Sequence, residues 1–375
     1  MVRAHLGIFS MSDARRLAQK RLPRMIFNYV DGAASDEKAA QLNAGRLSDL
    51  RLMPRVLRDV GARRLTGQIL GMDVGLPFGI APMGMCNLSW PGGDQALARL
   101  AATRQIPLCV STAASTPLET MIEMADGYAW FQLYAGQSDA FVNELIDRAE
   151  AAGYKHFILT VDVPVLSMRN RERSTGFGHP PRMDLASVMD FASHPRWVLS
   201  TLMAGVPKPM NFHTSVHVSA FDRTANRAGA DWDFLARLRA RWPHKLIIKG
   251  VQSPDDARRM ATMGVDAIYV SNHGGRQLNA APAVIDSLPQ IRAAVGDDMV
   301  LVFDGGVRRG EDVIKARAAG ADFVMAGRPF LYGLGAAGEK GIHRITDILA
   351  EEADITLGLI GETDLTALGA DNLAV

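Results

Sequence analysis

The stretch Ala267-Ile268-Tyr269-Val270-Ser271-Asn272-His273-Gly274-Gly275-Arg276-Gln277-Leu278 opens as an apolar, β-rich run and breaks into polar residues and two glycines. A strand ending this way delivers an imidazole and a guanidinium to one mouth of a sheet. His273 can move a proton near neutral pH, and Arg276, three residues on, carries a planar fork matched to a carboxylate. Alone, an ordinary loop with a surface histidine and arginine accounts for the segment equally well.

The flanking chain decides between the two. Short apolar runs recur at Pro77–Gly84, Pro107–Thr112, Tyr128–Tyr134, His156–Asp162, Lys245–Gly250, Ala267–Gly274, Met299–Gly306 and Asp322–Arg328, eight in all. Helix-like segments alternate with them at 94–105, 116–125, 139–152, 254–263, 285–295 and 311–319, several stopping at an Ala-Gly or Met-Gly pair. Strands alternating with helices imply parallel pairing, and eight units imply an α/β fold closed as a (β/α)8 TIM barrel. The competing open, doubly wound sheet would carry a GxGxxG turn after an early strand, and none is present. Each run ends in residues unsuited to a core: Met83-Gly84, Ser111-Thr112, Gln132 and Tyr134, Thr160 and Asp162, Lys249, Ser271 to His273, Asp304-Gly305-Gly306, and Gly327-Arg328. Those positions form the active-site face of such a barrel.

The 375 residues are read as one domain, with the barrel over about 77–335. A mainly helical lead-in precedes it, with a capped start at Ser12-Asp13 and a second helix from Pro23 to Val30. Tyr29 falls in that helix, where a lone tyrosine is most simply a half-buried core aromatic. One connection breaks the rhythm: roughly 80 residues separate Asp162 from Lys245, far more than a strand-to-helix loop requires. Only Trp232–Trp242 in it reads as the missing helix. The insertion after strand 4, about 163–231, is rich in Pro, His, Met and Arg and reads as a lid. Within it, Trp197–Val206 is a helix packed on the barrel or a segment dipping into a membrane interface.

Hydrophobic content of 48% and charged content of 22% are those of a soluble globular protein, and a net charge of +1 gives no case for a nucleic-acid partner. Cys86 and Cys109 form neither a disulfide framework nor a zinc motif. With no apolar signal core at the N-terminus, the expected location is the cytoplasm, peripheral on the inner face of the membrane if the lid binds it.

At the mouth, Asp304-Gly305-Gly306-Val307-Arg308 and Gly327-Arg328 sit after strands seven and eight, the common phosphate corner of barrels. Lys249, beside a phosphate-bearing cofactor, would stabilise negative charge on it. Asp162 can orient His273; Arg276 and Arg169 can hold one carboxylate between them; Tyr29 and Tyr134 can donate hydrogen bonds to the same ligand. The set asks for a small anionic substrate, a proton acceptor and a phosphorylated redox cofactor. No nucleophilic Ser or Cys is paired with a base, and no His/Asp/Glu set suggests a metal.

On SNHGGRQL at 271–278, FQLY at 131–134, LTVD at 159–162, IKG at 248–250, DGGVRRG at 304–310 and GRP at 327–329, the chain resembles the FMN-dependent L-2-hydroxy-acid dehydrogenase/oxidase family. The resemblance implies FMN across the strand ends, with Pro82, Met83, Gly84, Ser111, Gln132 and Thr160 lining the flavin ring. It puts Lys249 and Ser271 near the N1–C2 edge, and Asp304, Gly305, Gly306, Arg308, Gly327 and Arg328 on the ribityl and phosphate groups. His273 would be the base supported by Asp162, with Lys249 and Tyr134 also catalytic. Arg169, Arg276, Tyr29 and Tyr134 would bind the substrate, an L-2-hydroxy acid oxidised to the 2-oxo acid. A homotetramer is the family habit. The segments 194–197 and 242–245 look closest to the mandelate and L-lactate dehydrogenase branch. Gly84, where the oxidases resemble one another in having alanine, points to a separate acceptor such as a quinone, while Ala113 leaves room for a large substrate side chain. An oxidase using O2, a flavin-barrel maturation enzyme and a non-catalytic FMN scaffold are the alternatives. Met83, Ala33, Asn279 and Ser174-Thr175 depart from the family pattern, the last pair where an acidic residue is expected.

Overall fold

The structure, a computed structural model, describes residues 6–135, 138–178, 181–212 and 229–374. Eight parallel strands close into a barrel: β1 (Phe78–Met83), β2 (Leu108–Ser111), β3 (Ala129–Tyr134), β4 (His156–Thr160), β5 (Lys245–Val251), β6 (Ala267–Val270), β7 (Val300–Phe303) and β8 (Phe323–Ala326). Neighbours pair in sequence order and β8 returns to β1 through Ala326 and Ile80. Several apolar runs end earlier than their sequence suggests, and the reason is local. After Val270 the chain turns left-handed at His273, Gly274 and Gly275 (φ 59°, 63° and 78°), and after Phe303 at Gly305 and Gly306 (φ 114° and 91°). These turns lift the polar residues out of the sheet to form the mouth.

Strand side chains alternate between two faces. Outward residues such as Phe131, Phe157, Val270 and Phe303 pack with the surrounding helices in the main core. Inward residues form a second cluster: Ala81, Cys109, Trp130, Ile158, Ile247, Tyr269, Val302 and Met325, all buried. Two residues beyond each of these, pointing inward again, stand Met83, Ser111, Gln132, Thr160, Lys249, Ser271, Asp304 and Gly327. The barrel interior thus changes from apolar to mostly polar within a single strand repeat.

The lead-in contains helices Met11–Arg21, Arg24–Asp31 and Lys38–Asp49. The first is capped by Ser10, not Ser12: the Ser10 hydroxyl accepts from the Asp13 backbone N–H while Asp13 accepts from the Ser10 N–H. Helix 11–21 lies on the long C-terminal helix Arg328–Leu359, where any Cβ at Gly335 would press on Ala18 and Leu22. Helix 38–49 seats on the β6 loop. Asn43 and Asn272 exchange side-chain hydrogen bonds (2.7 and 3.0 Å), and Gly275 packs directly on the Ala40 backbone.

In the insertion, helix Pro195–Ala204 covers most of the expected Trp197–Val206 segment, and Asn170–Ser174 and Leu185–Ala192 add helices that the composition does not suggest; all three precede Trp232–Arg241. Parts of the expected 163–231 lid, residues 179–180 and 213–228, lie outside the described residues. The buried Trp197 donates from Nε1 to the Leu88 carbonyl (2.8 Å), and Met210 N donates to the Ala114 carbonyl (2.9 Å), tying the insertion to the loops after β1 and β2. Arg171 pairs with Asp31 and Glu37, fixing its first helix to the lead-in. The outer face is apolar, with Val188, Met189, Leu199, Leu202 and Met203 exposed. No helix among the described residues is long and apolar enough to cross a membrane.

Because Gly275 combines a positive φ with contact to the Ala40 backbone, Gly275→Ala should destabilise the protein by about 2 kcal/mol or more. Urea denaturation checks this; an unchanged midpoint would show that helix 38–49 does not depend on that contact.

Candidate active site

The polar layer and the loops above it enclose a cavity of ≈ 570 Å³ beneath the insertion. Of the residues singled out from sequence, Tyr29, Pro82, Met83, Gly84, Ser111, Tyr134, Arg169, Lys249, His273, Arg276, Asp304, Gly305, Gly306, Arg308, Gly327 and Arg328 line it. Asp162, Gln132, Thr160 and Ser271 stand behind that lining.

His273 is held from below. Its Nδ1 lies 3.0 Å from Asp162 Oδ1, and its Nε2 lies 3.3 Å from the Tyr134 hydroxyl. With Nδ1–H donating to the carboxylate, Nε2 keeps its lone pair toward the cavity. Asp162 can come so close because residue 250 is glycine: at φ 103°, a Cβ there would lie 2.5 Å from the Asp162 Cβ. Gln277 Nε2 donates to the Asp162 carbonyl (3.0 Å) and fixes the same turn. Burial pushes the His273 pKa below its usual 6.5, outweighing the upward pull of Asp162. Burial would raise the Asp162 carboxyl, but the histidine holds it below its ordinary value. The imidazole is therefore neutral and basic at pH 7.

Lys249 behaves oppositely. It is 3% exposed and donates to Ser271 Oγ (2.8 Å), which in turn donates to Asp304 Oδ1 (2.5 Å), while Asp304 Oδ2 is 3.5 Å from Nζ. Burial disfavours the ammonium, yet Asp304 and then Asp162 raise its pKa above the ordinary value, so it stays charged. The Ser271 hydroxyl also accepts from the His273 backbone N–H (3.0 Å), linking the two groups.

The arginines meet differently from the simple clamp expected. Arg276 already donates to the carbonyls of Tyr29 (2.9 Å) and Gly32 (2.6 Å) and to Glu172 Oε1 (2.7 Å). Arg169 reaches the same Glu172 oxygen at 3.4 Å. Part of the Arg276 fork is thus committed to holding itself in place. The Glu172 side chain is 3% exposed and lies between both cations. Sequence reading missed it, although it is the one acid in Arg169-Asn170-Arg171-Glu172-Arg173. Tyr29 is no simple core aromatic. It stacks on Phe177 (4.5 Å between centroids), lies under Arg276, and donates its hydroxyl to the Gly84 carbonyl at 2.9 Å.

Gln132 Nε2, Thr160 Oγ1 and Arg328 Nε are buried without a hydrogen-bond partner among the described residues. Three such orphans at one barrel mouth suit a ligand with several polar atoms. Gln132 is turned by Ser111, whose hydroxyl donates to Oε1 (3.0 Å). Arg328 donates to the Gly274 and Gly32 carbonyls, and burial lowers its pKa to about 10, leaving it charged. Together with Arg308 it gives this corner positive charge suited to a phosphate. The glycines here have a second cause: a Cβ at Gly305 would strike Val284, and one at Gly306 would strike Asn43.

The model of the FMN-dependent dehydrogenase family matches residues 18–375. The chain is 38% identical to (S)-mandelate dehydrogenase of Pseudomonas putida over 98% of its own length and 94% of that protein's. It is 33% identical to an L-lactate dehydrogenase of Allorhizobium ampelinum over 98% of both. The crystal structure of the monotopic membrane protein (S)-mandelate dehydrogenase superposes with a TM-score of 0.93 at 38% identity, covering 98% of this chain and 99% of that one.

If Glu172 orients the two arginines, Glu172→Ala should weaken binding of a small dicarboxylate such as oxalate by roughly 10- to 100-fold, the loss expected for a charge-assisted hydrogen bond. Titration calorimetry reads this directly. Tighter oxalate binding would mean instead that Glu172 competes with the ligand.

Proposed function

The chain belongs to the FMN-dependent dehydrogenase family, and we propose that it oxidises an L-2-hydroxy acid with a bulky apolar side chain, mandelate-like rather than lactate-like. The product is the 2-oxo acid, and the electrons pass to a membrane quinone. The observation that carries this reading is one cavity holding a neutral, Asp162-braced His273 beside Arg169 and Arg276, with an apolar remainder.

In this reading the substrate carboxylate sits against Arg169 and Arg276, and its hydroxyl faces His273 Nε2 and Tyr134. His273 takes a proton at Nε2 while Asp162 stabilises the imidazolium through Nδ1. Lys249, kept charged by Asp304, stabilises the negative charge that develops across the cavity. Bound FMN supplies the two-electron acceptor. Pro82, Met83, Gly84, Ser111, Gln132, Thr160, Lys249 and Ser271 would hold its ring, and Asp304, Gly305, Gly306, Arg308, Gly327 and Arg328 its ribityl phosphate.

Ala113, Met85, Leu88 and Trp197 leave an apolar space that a methyl group would not fill. The exposed apolar outer face of the insertion suits peripheral seating on a bilayer, where a quinone would be within reach. The similar (S)-mandelate dehydrogenase of known structure is a monotopic membrane protein.

Anaerobic addition of L-mandelate should bleach the flavin band faster than L-lactate; the reverse order would overturn the aromatic preference. His273→Gln should keep the flavin spectrum and slow its reduction by ~10²–10⁴-fold. Because the base must be unprotonated and its pKa is lowered, kcat/KM should hold down to pH 6.5 and fall only below it. An acidic limb above pH 6.5 would contradict this. Sedimentation with phospholipid vesicles should carry the protein down, and Leu199→Ser/Met203→Ser should release it. Equal binding by both forms would remove the insertion from the membrane contact.

A further inference from the structure

The carboxylate and hydroxyl of a 2-hydroxy acid are accounted for by the arginines and by His273 with Tyr134. Its remaining substituent therefore extends along the rest of the lining, which is apolar at Met85, Leu88, Ala113, Trp197 and Leu202. Within that apolar part stands Thr201. It is 5% exposed, lines the cavity, and its hydroxyl has no hydrogen-bond partner among the described residues. A helical threonine commonly bonds back to the carbonyl four residues earlier. Here the Trp197 carbonyl accepts from the Ser200 hydroxyl instead (3.0 Å), and Thr201 Oγ1 makes no such bond. The helix cannot move away from this position easily, since Trp197, one turn earlier, is pinned to the Leu88 carbonyl. A buried hydroxyl left unmade costs stability unless something reaches it.

We infer that Thr201 is a distal polar subsite, and that the substrate is an aromatic 2-hydroxy acid bearing a neutral hydrogen-bonding group, such as a ring hydroxyl, at its far end. This rests on the hydroxy-acid reading above. A charged group is disfavoured there because, among the described residues, no ionisable side chain lines that part of the cavity. Thr201 both donates and accepts, so it serves a phenol in either direction.

The test compares 4-hydroxymandelate with mandelate on the FMN-loaded enzyme, by anaerobic flavin reduction and by calorimetric affinity for the two corresponding 2-oxo acids. The wild type should favour the hydroxylated acid by roughly 3- to 10-fold in kcat/KM and in affinity, the contribution of one neutral hydrogen bond. Thr201→Val should bring both ratios to about one, and Thr201→Ser should restore them, which a packing role would not do. A wild-type ratio at or below one overturns the inference, as does a ratio that survives Thr201→Val. If Thr201→Val alters only reoxidation by a soluble quinone, the hydroxyl serves the acceptor and the inference is again wrong. If neither acid bleaches the flavin, the hydroxy-acid reading itself fails, and the inference with it.

Discussion

The left-handed turn from His273 to Gly275 is the constraint on which the rest of the mouth depends. A histidine at positive φ is strained, and two glycines follow it because the chain must double back against the Ala40 backbone. That reversal does three things at once. It aims Nδ1 at Asp162, places Arg276 under the carbonyls of Tyr29 and Gly32, and exposes the Gly274 carbonyl to Arg328. The strain is held by distant parts of the chain. Asn43 from the lead-in closes on Asn272, and Gln277 closes on the Asp162 carbonyl. The lead-in is therefore part of the site's scaffold and not a prefix to the barrel.

Around that turn, burial acts with opposite results on two bases a few residues apart in the layer. His273 has one anionic neighbour in Asp162 and feels the cations Lys249 and Arg169, so desolvation wins and it stays neutral. Lys249 has Asp304 and Asp162 facing it, so attraction wins and it stays charged. A neutral proton acceptor and a fixed positive charge thus coexist in one enclosure. Exchanging their surroundings would exchange their states, so the acids Asp162 and Asp304 are as informative as the bases themselves.

Much of this was legible in the chain. The barrel followed from eight apolar runs in phase with helical segments. The mouth residues followed from where each run turned polar, because a period-2 strand that buries residue i must point i+2 the same way. What was not legible depended on contacts between remote segments. Glu172 looks like one charge in a basic run until folding places it between Arg169 and Arg276. Asn43 and Asn272 are 229 residues apart, and nothing local marks either as a partner. The cap shifted from Ser12 to Ser10 because both serines precede the same apolar pattern, and only Ser10 has Asp13 at the reciprocal spacing. Helix 195–204 was legible as one reading of the apolar run 197–206, whereas helix 185–192 was obscured because it is short and buries no residue of its own.

Helix Pro195–Ala204 turns Trp197 and Thr201 to the barrel while Leu199, Leu202 and Met203 stand in the open on its other sides. A helix with apolar residues on nearly every side is stable only when something covers each side. The barrel covers one. Leu202 and Val206 belong to both worlds, lining the cavity yet being 65% exposed. Among the described residues, the wall between the chamber and the outer apolar face at this point is thus a single helix, about 10 Å thick with its side chains. An apolar phase covering the outer face would sit within that distance of the chamber. An apolar acceptor seated there would need no separate channel through the protein, only displacement of side chains at the Leu202–Val206 edge. With such a phase in place, each polar group added to the inner face would lie one helix away from it, a setting that disfavours a charged group at Thr201 far more than a single hydroxyl.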